Sequence, residues 1–328
     1  MKLAVIGSTG LVGREILKVL KEFNLTDNIL LSASDKSVGK TVNCNGEQSK
    51  IMSIDDVHYQ KPDIAIFSAG SKVSKEWAEK FAKSGIWVID NSSAWRMNND
   101  VPLVVPEVNI DTITENTKII ANPNCSTIQM IVVLAPLHRI NKIKRITIST
   151  YQSVSGTGAE AVEQLYAERE QRPVKKVYPY TIDLNCFPHG GNFLDNAYTT
   201  EEMKLVNETH KILNDYNIEI AATVVRIPVI VGHSESISLE FENDIDADEV
   251  RDILKNAEGV VINDNPAKNY YPMPLDAKGK NEVFVGRIRN DLFKNNCIHL
   301  WVVADNLRKG AATNAVQIAK YLKERYYK

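Results

Sequence analysis

Leu3-Ala4-Val5-Ile6-Gly7-Ser8-Thr9-Gly10-Leu11-Val12-Gly13 opens the chain and sets its architecture. Residues 3–7 form a short unbroken apolar run, the pattern of a strand buried in a parallel sheet. From 11 to 23 the apolar residues Leu11, Val12, Ile16, Leu17, Val19 and Leu20 recur at helical spacing. Between them Gly7, Gly10 and Gly13 stand at intervals of three and three, where the dinucleotide-binding fingerprint has two and three, so the turn is a variant of it. The physics is unchanged: Gly10 lets backbone approach a pyrophosphate, and the amides that open the helix bind it.

Working outward, a second strand at Ile29–Ser32 ends in Ala33-Ser34-Asp35-Lys36-Ser37. A nicotinamide enzyme discriminates NAD from NADP at this place. Asp35 favours NAD; Ser34, Lys36 and Ser37 favour NADP, and charge count leans to NADP. Further βα units follow: a strand at 64–68 with Ala69-Gly70-Ser71 after it, a helix at 74–83, and a strand at 87–90 running into Asn91-Ser92-Ser93-Ala94-Trp95-Arg96. Ligands of open α/β sheets gather at the carboxyl ends of such strands, which makes Arg96 a candidate anion clamp.

In Lys118-Ile119-Ile120-Ala121-Asn122-Pro123-Asn124-Cys125 an apolar strand enters a turn stiffened by Pro123. A new helix marked by Ile128, Ile131, Val132 and Ala135 starts there, which places the Cys125 thiol at a helix amino end, where thiolate is favoured over thiol. Beyond it the texture changes. β-rich runs at 146–154, 222–231, 236–241, 282–289 and 298–304 mix with helical segments at 158–170, 200–216 and 246–257, the pattern of an α+β domain on a mixed sheet. Segments 171–180 and 263–280 read as loops. The last helix, 310–326, has Ala312, Ala315, Ile318, Ala319 and Leu322 on one face and is expected to pack back on the first domain. The expected division is therefore 1–124, a Rossmann-type parallel-sheet domain completed by 305–328, and 125–304, an α+β domain.

Composition narrows the function classes. Lys plus Arg (39) nearly balances Asp plus Glu (41), so no broad field attracts nucleic acid or a membrane surface. Hydrophobic residues at 44% and charged at 24% are those of a soluble globular protein. No apolar run reaches the ~18 residues of a membrane span, and no signal peptide is evident. Cys44, Cys125, Cys186 and Cys297 are scattered, which suits free thiols in a reducing cytoplasm; Cys186 and His189 are half a zinc site without a second half, so no metal is expected.

Two polar stretches carry chemistry. Tyr151-Gln152-Ser153-Val154-Ser155-Gly156 breaks a strand into a small-residue turn, and Arg226-Ile227-Pro228-Val229-Ile230-Val231-Gly232-His233-Ser234 flanks an apolar run with arginine and histidine. A poised thiol with a histidine elsewhere in the chain suits nucleophilic catalysis. Together with Glu201-Glu202-Met203-Lys204 and Asp305-Asn306-Leu307-Arg308-Lys309-Gly310, these stretches resemble, in order and over the whole chain, the aspartate-β-semialdehyde dehydrogenase family.

That resemblance implies roles residue by residue. Cys125 matches the nucleophile, His233 the general acid/base, and Gln152 the residue that orients substrate. Arg226 matches the arginine that holds the substrate carboxylate, Glu201 the acid that receives its ammonium group, and Arg96 with Lys204 the phosphate-binding pair; Asn124 belongs to the substrate set. Gly7, Thr9, Gly10, Leu11, Val12, Gly13, Ser34, Lys36, Ser37, Ser71, Ser155, Gly156 and Asn306 fall to the cofactor, NADP(H). Lys36 stands where arginine is commoner, and Ser153 where alanine is common, the second expected to be without consequence. The implied reaction is NADPH-dependent reductive dephosphorylation of L-aspartyl-4-phosphate to L-aspartate 4-semialdehyde by a cytoplasmic homodimer, on the route to lysine, threonine and methionine. An N-acetyl-γ-glutamyl-phosphate reductase is the nearest alternative; a thiol acyltransferase or hydrolase would leave the glycine turn unused, and a nucleotide sensor would leave the Cys-Gln-Arg-His set unused.

Overall fold

The computed structural model describes residues 1–25, 28–44 and 47–327. The chain divides into two compact units, Met1–Asn124 with Ala311–Lys328, and Cys125–Gly310. The return to the first unit thus falls at Ala311, past residue 305 where the sequence places it.

The first unit is built on a seven-stranded sheet. Its strands are β1 (Leu3–Ile6), β2 (Ile29–Ser32), β3 (Thr41–Cys44), β4 (Glu47–Met52), β5 (Ile64–Phe67), β6 (Trp87–Asp90) and β7 (Ile119–Ala121). They lie in the order β3-β4-β2-β1-β5-β6-β7, with every pairing parallel except the β3/β4 hairpin. β1, β5 and β6 are buried along their whole length, which is why each reads as an unbroken apolar run. The polar hairpin β3/β4 and the short helix Ile54–Tyr59 have no such signal and are additions to the sequence reading. The final helix, Thr313–Tyr326, packs its apolar face as expected: Ala315, Val316, Ile318, Ala319 and Leu322 are fully buried in one core with Leu3, Val5, Ile16 and Leu20. Each fully buried Ile or Leu contributes about 1.5–3 kcal/mol.

In the turn after β1 the three glycines have different reasons. Gly7 has φ of +88°, and a Cβ there would lie 2.3 Å from the Ser68 carbonyl oxygen; on Gly13 it would lie 2.1 Å from the Gly7 oxygen. Gly7 is dictated by the close approach of the chain leaving β5, and Gly13 by packing of the turn itself. Gly10 has ordinary φ of −70° and room for a Cβ, whose nearest neighbour would be 3.5 Å away. Nothing inside the fold demands glycine at 10.

The second unit holds a six-stranded mixed sheet. Its strands are β8 (Ile143–Gln152), β9 (Glu219–Arg226), β10 (His233–Phe241), β11 (Val260–Ile262), β12 (Val283–Asn290) and β13 (Cys297–Ala304), in the order β11-β12-β13-β10-β8-β9. The helix Cys125–Ile140 packs on it, touching β8, β10, β12 and β13 and the helices Thr200–Leu213 and Ala247–Lys255. Ser126 to Ala135 are buried without a break, so the helix is enclosed all round rather than on the single stripe read from its sequence. The opposite sheet face, with Thr147, Ser149, Tyr151, Ser236, Ser238 and Trp301, is partly exposed.

Gly13→Ala should destabilise the protein by about 2 kcal/mol or more, as forced overpacking does, whereas Gly10→Ala should cost at most about 1 kcal/mol. Urea unfolding of the two variants checks this; equal losses would contradict it.

Candidate active site

The helix Cys125–Ile140 begins at the cysteine, which is half-buried and in no disulfide. Against it, in the helical turn Arg308–Ala312, stands a glycine for a steric reason: a Cβ on Gly310 would meet the Cβ of Cys125 at 2.8 Å. One residue on, Ser126 Oγ accepts a hydrogen bond of 3.0 Å from Gln152 Nε2 at the end of β8. One turn on, Gln129 Nε2 reaches the His233 carbonyl oxygen at 3.4 Å. The amino end of the cysteine helix is thus joined by side chains to the two strand ends that carry Gln152 and His233.

His233 opens β10 and is completely buried. Its Nδ1 accepts from the Ser153 backbone N–H and faces the Ser153 hydroxyl, both at 3.1 Å. The backbone donor settles the tautomer: Nδ1 is the acceptor, so the neutral ring carries its proton on Nε2. Burial, and then the Arg226 guanidinium, push the imidazole pKa down from 6.5 to about 3, against the smaller opposing effect of Glu201. Among the described residues Nε2 has no hydrogen-bond partner. A Cβ on Gly156 would lie 2.9 Å from Nε2 and 3.1 Å from Arg226 NH1, so glycine at 156 is what allows this turn to cover both groups.

Ser153 is therefore not an idle departure from the family pattern. Its hydroxyl also donates to Asn306 Oδ1 at 3.1 Å, and Asn306 further accepts from the Gly232 amide at 2.9 Å and bonds Ser155. Asn306 and Ser155, expected at the cofactor, are both buried here and tie the 153–156 turn to the residue preceding His233. Arg226, also buried, ends β9 and donates from NH1 to the Ser153 carbonyl at 2.9 Å.

Glu201 and Lys204 lie in the first turns of the helix Thr200–Leu213 and pair with each other at 2.6 Å. Their helix is fixed by Thr199 and Glu202, a reciprocal capping box legible in Thr199-Thr200-Glu201-Glu202 but not drawn on in the sequence reading. The second oxygen of Glu202 accepts from the Val224 amide at 3.0 Å, which anchors the helix to β9 two residues before Arg226. Cys186 is exposed and Cys297 buried; the side chain of Cys44 lies outside the described residues. Among the described residues no group of three or more His, Cys, Asp or Glu could hold a metal ion.

The remaining candidates are in the first unit. Thr9, Gly10, Leu11 and Val12 are at least partly exposed, and the N-cap Gly10 offers no side chain to the first-turn amides of the helix Leu11–Glu22. The residue set fits a dinucleotide phosphate: donors uncapped by side chains, beside a glycine the fold does not need. Ser34, Lys36 and Ser37 sit on the short 3-10 turn after β2, with Ser34 and Lys36 exposed. Ser71 Oγ meets Ser93 Oγ at 3.1 Å. Arg96 is buried; Nε donates to the Asn122 carbonyl and NH2 to the Asn91 carbonyl, both at 2.9 Å. Asn124, buried, ends this unit at the residue before the cysteine.

The depressed His233 pKa has a stability consequence. Below pH 6.5 the unfolded imidazole takes up a proton that the folded one refuses until about pH 3. This group alone should therefore remove about 1.4 kcal/mol of stability per pH unit as pH falls through that window. The stability difference between the wild type and His233→Gln should shift by about that slope between roughly pH 6 and pH 4 in urea unfolding; parallel profiles would contradict the buried neutral ring.

Comparison with known proteins fits this geometry. Residues 2–116 match the family model of the semialdehyde dehydrogenase NAD binding domain, and residues 134–309 that of the semialdehyde dehydrogenase dimerisation domain. The aspartate-semialdehyde dehydrogenase of Aquifex aeolicus is 52% identical over 331 residues, 98% of this chain and 97% of the relative. That of Bacillus subtilis is 46% identical over 338 residues, 99% and 98% of the two chains. The crystal structure of aspartate semialdehyde dehydrogenase II from Vibrio cholerae superposes with a TM-score of 0.94 at 44% identity, covering 99% of each chain, and the same enzyme complexed with ASA gives 0.95. With its two sheets, its glycine turn and its cysteine helix in place, the chain belongs to the aspartate-semialdehyde dehydrogenase family.

Proposed function

We propose that this enzyme carries out the reaction in its biosynthetic direction through a thioester on Cys125. The observation that carries this reading is the buried His233, whose Nδ1 accepts from the Ser153 amide and whose pKa is pushed down by burial, in the unit that also holds the amino end of the cysteine helix. Gln152 is joined to that helix by the Ser126 hydroxyl.

The Cys125 thiolate, favoured by the helix amino end, attacks the acyl carbon of L-aspartyl-4-phosphate. A C–S bond forms, the bond from the acyl carbon to the bridging phosphate oxygen breaks, and phosphate leaves with the electron pair. Reduced nicotinamide, when bound, supplies the hydride that turns the thioester carbonyl carbon tetrahedral. His233 Nε2–H then donates to the oxyanion, a task for which a neutral imidazole with a fixed tautomer is preorganised. Collapse of the hemithioacetal returns the electron pair to sulfur and releases L-aspartate 4-semialdehyde. The tautomer makes His233 a donor at the start of this sequence and an acceptor only after its proton has moved.

Arg226 holds the substrate carboxylate and Glu201 its ammonium group. Glu201 is paired with Lys204, so substrate has to share or replace that bond, with Lys204 turning to phosphate. Asn124 and Arg96 complete the substrate set, the Arg96 guanidinium being aimed by two carbonyls. The cofactor is NADP(H), with Gly10, Leu11 and Val12 at the pyrophosphate and Ser34, Lys36 and Ser37 at the 2′-phosphate. Lys36 brings a point charge rather than a fork, which weakens discrimination against NAD. The partly exposed face of the second sheet is the surface assigned to a homodimer, in keeping with the dimerisation-domain match; the working compartment is the cytoplasm.

With L-aspartate 4-semialdehyde and phosphate, absorbance of the reduced nicotinamide should rise, faster with NADP+ than with NAD+. Cys125→Ala should lower kcat by ~10⁴-fold or more while leaving nucleotide binding intact. Glu201→Gln should raise KM for this semialdehyde by about tenfold, the loss of one charge-assisted bond. A faster reaction with the N-acetylated glutamate semialdehyde, or an active Cys125→Ala, would overturn the assignment.

A further inference from the structure

Glu235, two residues beyond His233 on β10, has no role in the mechanism above, yet it is completely buried. It stands opposite Thr150 on β8 and Val302 on β13 and is faced by Ser126 and Gln129 from the first turns of the cysteine helix. Among the described residues neither carboxyl oxygen closes a hydrogen bond of ordinary geometry, and Gln129 Oε1 also finds no donor. Two bonds beside it are already made: Gln152 Nε2 donates to Ser126 Oγ at 3.0 Å, and Gln129 Nε2 donates to the His233 carbonyl at 3.4 Å.

We propose that Glu235 is a positioning residue that closes a buried hydrogen-bond chain running from the Gln152 amide through Ser126 and Gln129 to the backbone of His233. Donors and acceptors balance along it. Ser126 accepts from Gln152, and the side chains of Ser126 and Gln129 both face the Glu235 carboxyl; in the neutral acid the carbonyl oxygen accepts from Ser126 and the O–H donates to Gln129 Oε1, whose Nε2 holds the His233 carbonyl. Burial raises the Glu235 pKa well above the usual carboxylate range, which supplies the proton this arrangement needs. The chain also orients Gln152: with Nε2 on Ser126, its Oε1 is the end left for the site. A half-satisfied buried network is unstable, whereas a closed one rigidifies what it joins.

The inference rests on the catalytic reading above. Glu235→Gln keeps one acceptor and one donor and should leave kcat within about threefold; Glu235→Met keeps the volume, breaks the chain and should lower kcat by at least about tenfold with KM little changed, as misplacement of a catalytic group does. Ser126→Ala, a smaller change, should reproduce that split. A Glu235→Met or Ser126→Ala protein with wild-type kcat overturns the proposal, and so does a Glu235→Gln as poor as Glu235→Met, since the carboxylic acid itself would then be required. Hydrogen exchange over residues 125–130 decides separately from turnover: faster exchange in Glu235→Met but not in Glu235→Gln is expected, and equal exchange in all three proteins overturns the proposal. Wild-type protein inert toward the semialdehyde would instead strike at the reaction assigned above.

Discussion

Everything at this site follows from excluding water around an imidazole. A histidine in water at neutral pH is poised between two charge states and two tautomers. Full burial beside a guanidinium leaves His233 one of each: neutral, with the proton on Nε2. The surrounding residues are what that choice requires. The Ser153 backbone N–H supplies the donor to Nδ1, Asn306 holds the Ser153 hydroxyl and the Gly232 amide, and Gly156 has no side chain because any Cβ would press on the ring and on Arg226. The same rule acts on Glu235, whose burial raises its carboxyl well above the usual carboxylate range and so favours the neutral acid.

Charge is confined to a few committed groups. Arg226 is anchored to the Ser153 carbonyl, Arg96 to two carbonyls of its own unit, and Glu201 to Lys204. Bonds to backbone carbonyls fix the direction of a guanidinium plane more firmly than a mobile side chain could hold it. On the reading proposed above, the Glu201–Lys204 pair is an ion pair that substrate has to disturb. Its side chains retain 13% and 32% exposure, so the rearrangement needs no unfolding of the helix that Thr199 and Glu202 cap.

Much of this was legible in the sequence where the signal is local. The apolar period of β1 and of the helix Leu11–Glu22, the Pro123 turn before Cys125, and the apolar face of the last helix each follow from spacing within a dozen or so residues. The β3/β4 hairpin escaped notice because its residues are polar and show no apolar run. Ser153 and Glu235 escaped for a different reason. The partners of Ser153 lie 80 and 153 positions away, and those of Glu235 on another element, so no periodicity announces them. Capping by Thr199 and Glu202 was within reach, since the motif is local; its link to β9 at Val224 was not.

The central claim is that the sulfur of Cys125 carries the acyl group as a thioester, and omission of phosphate tests it most directly. Protein mixed with L-aspartate 4-semialdehyde and NADP+ alone, quenched in acid and examined by mass spectrometry, should show a stoichiometric burst of NADPH and an aspartyl group on the peptide that contains Cys125. No burst, an unmodified Cys125 peptide, and turnover on adding phosphate would together mean that the acyl group never resides on this residue.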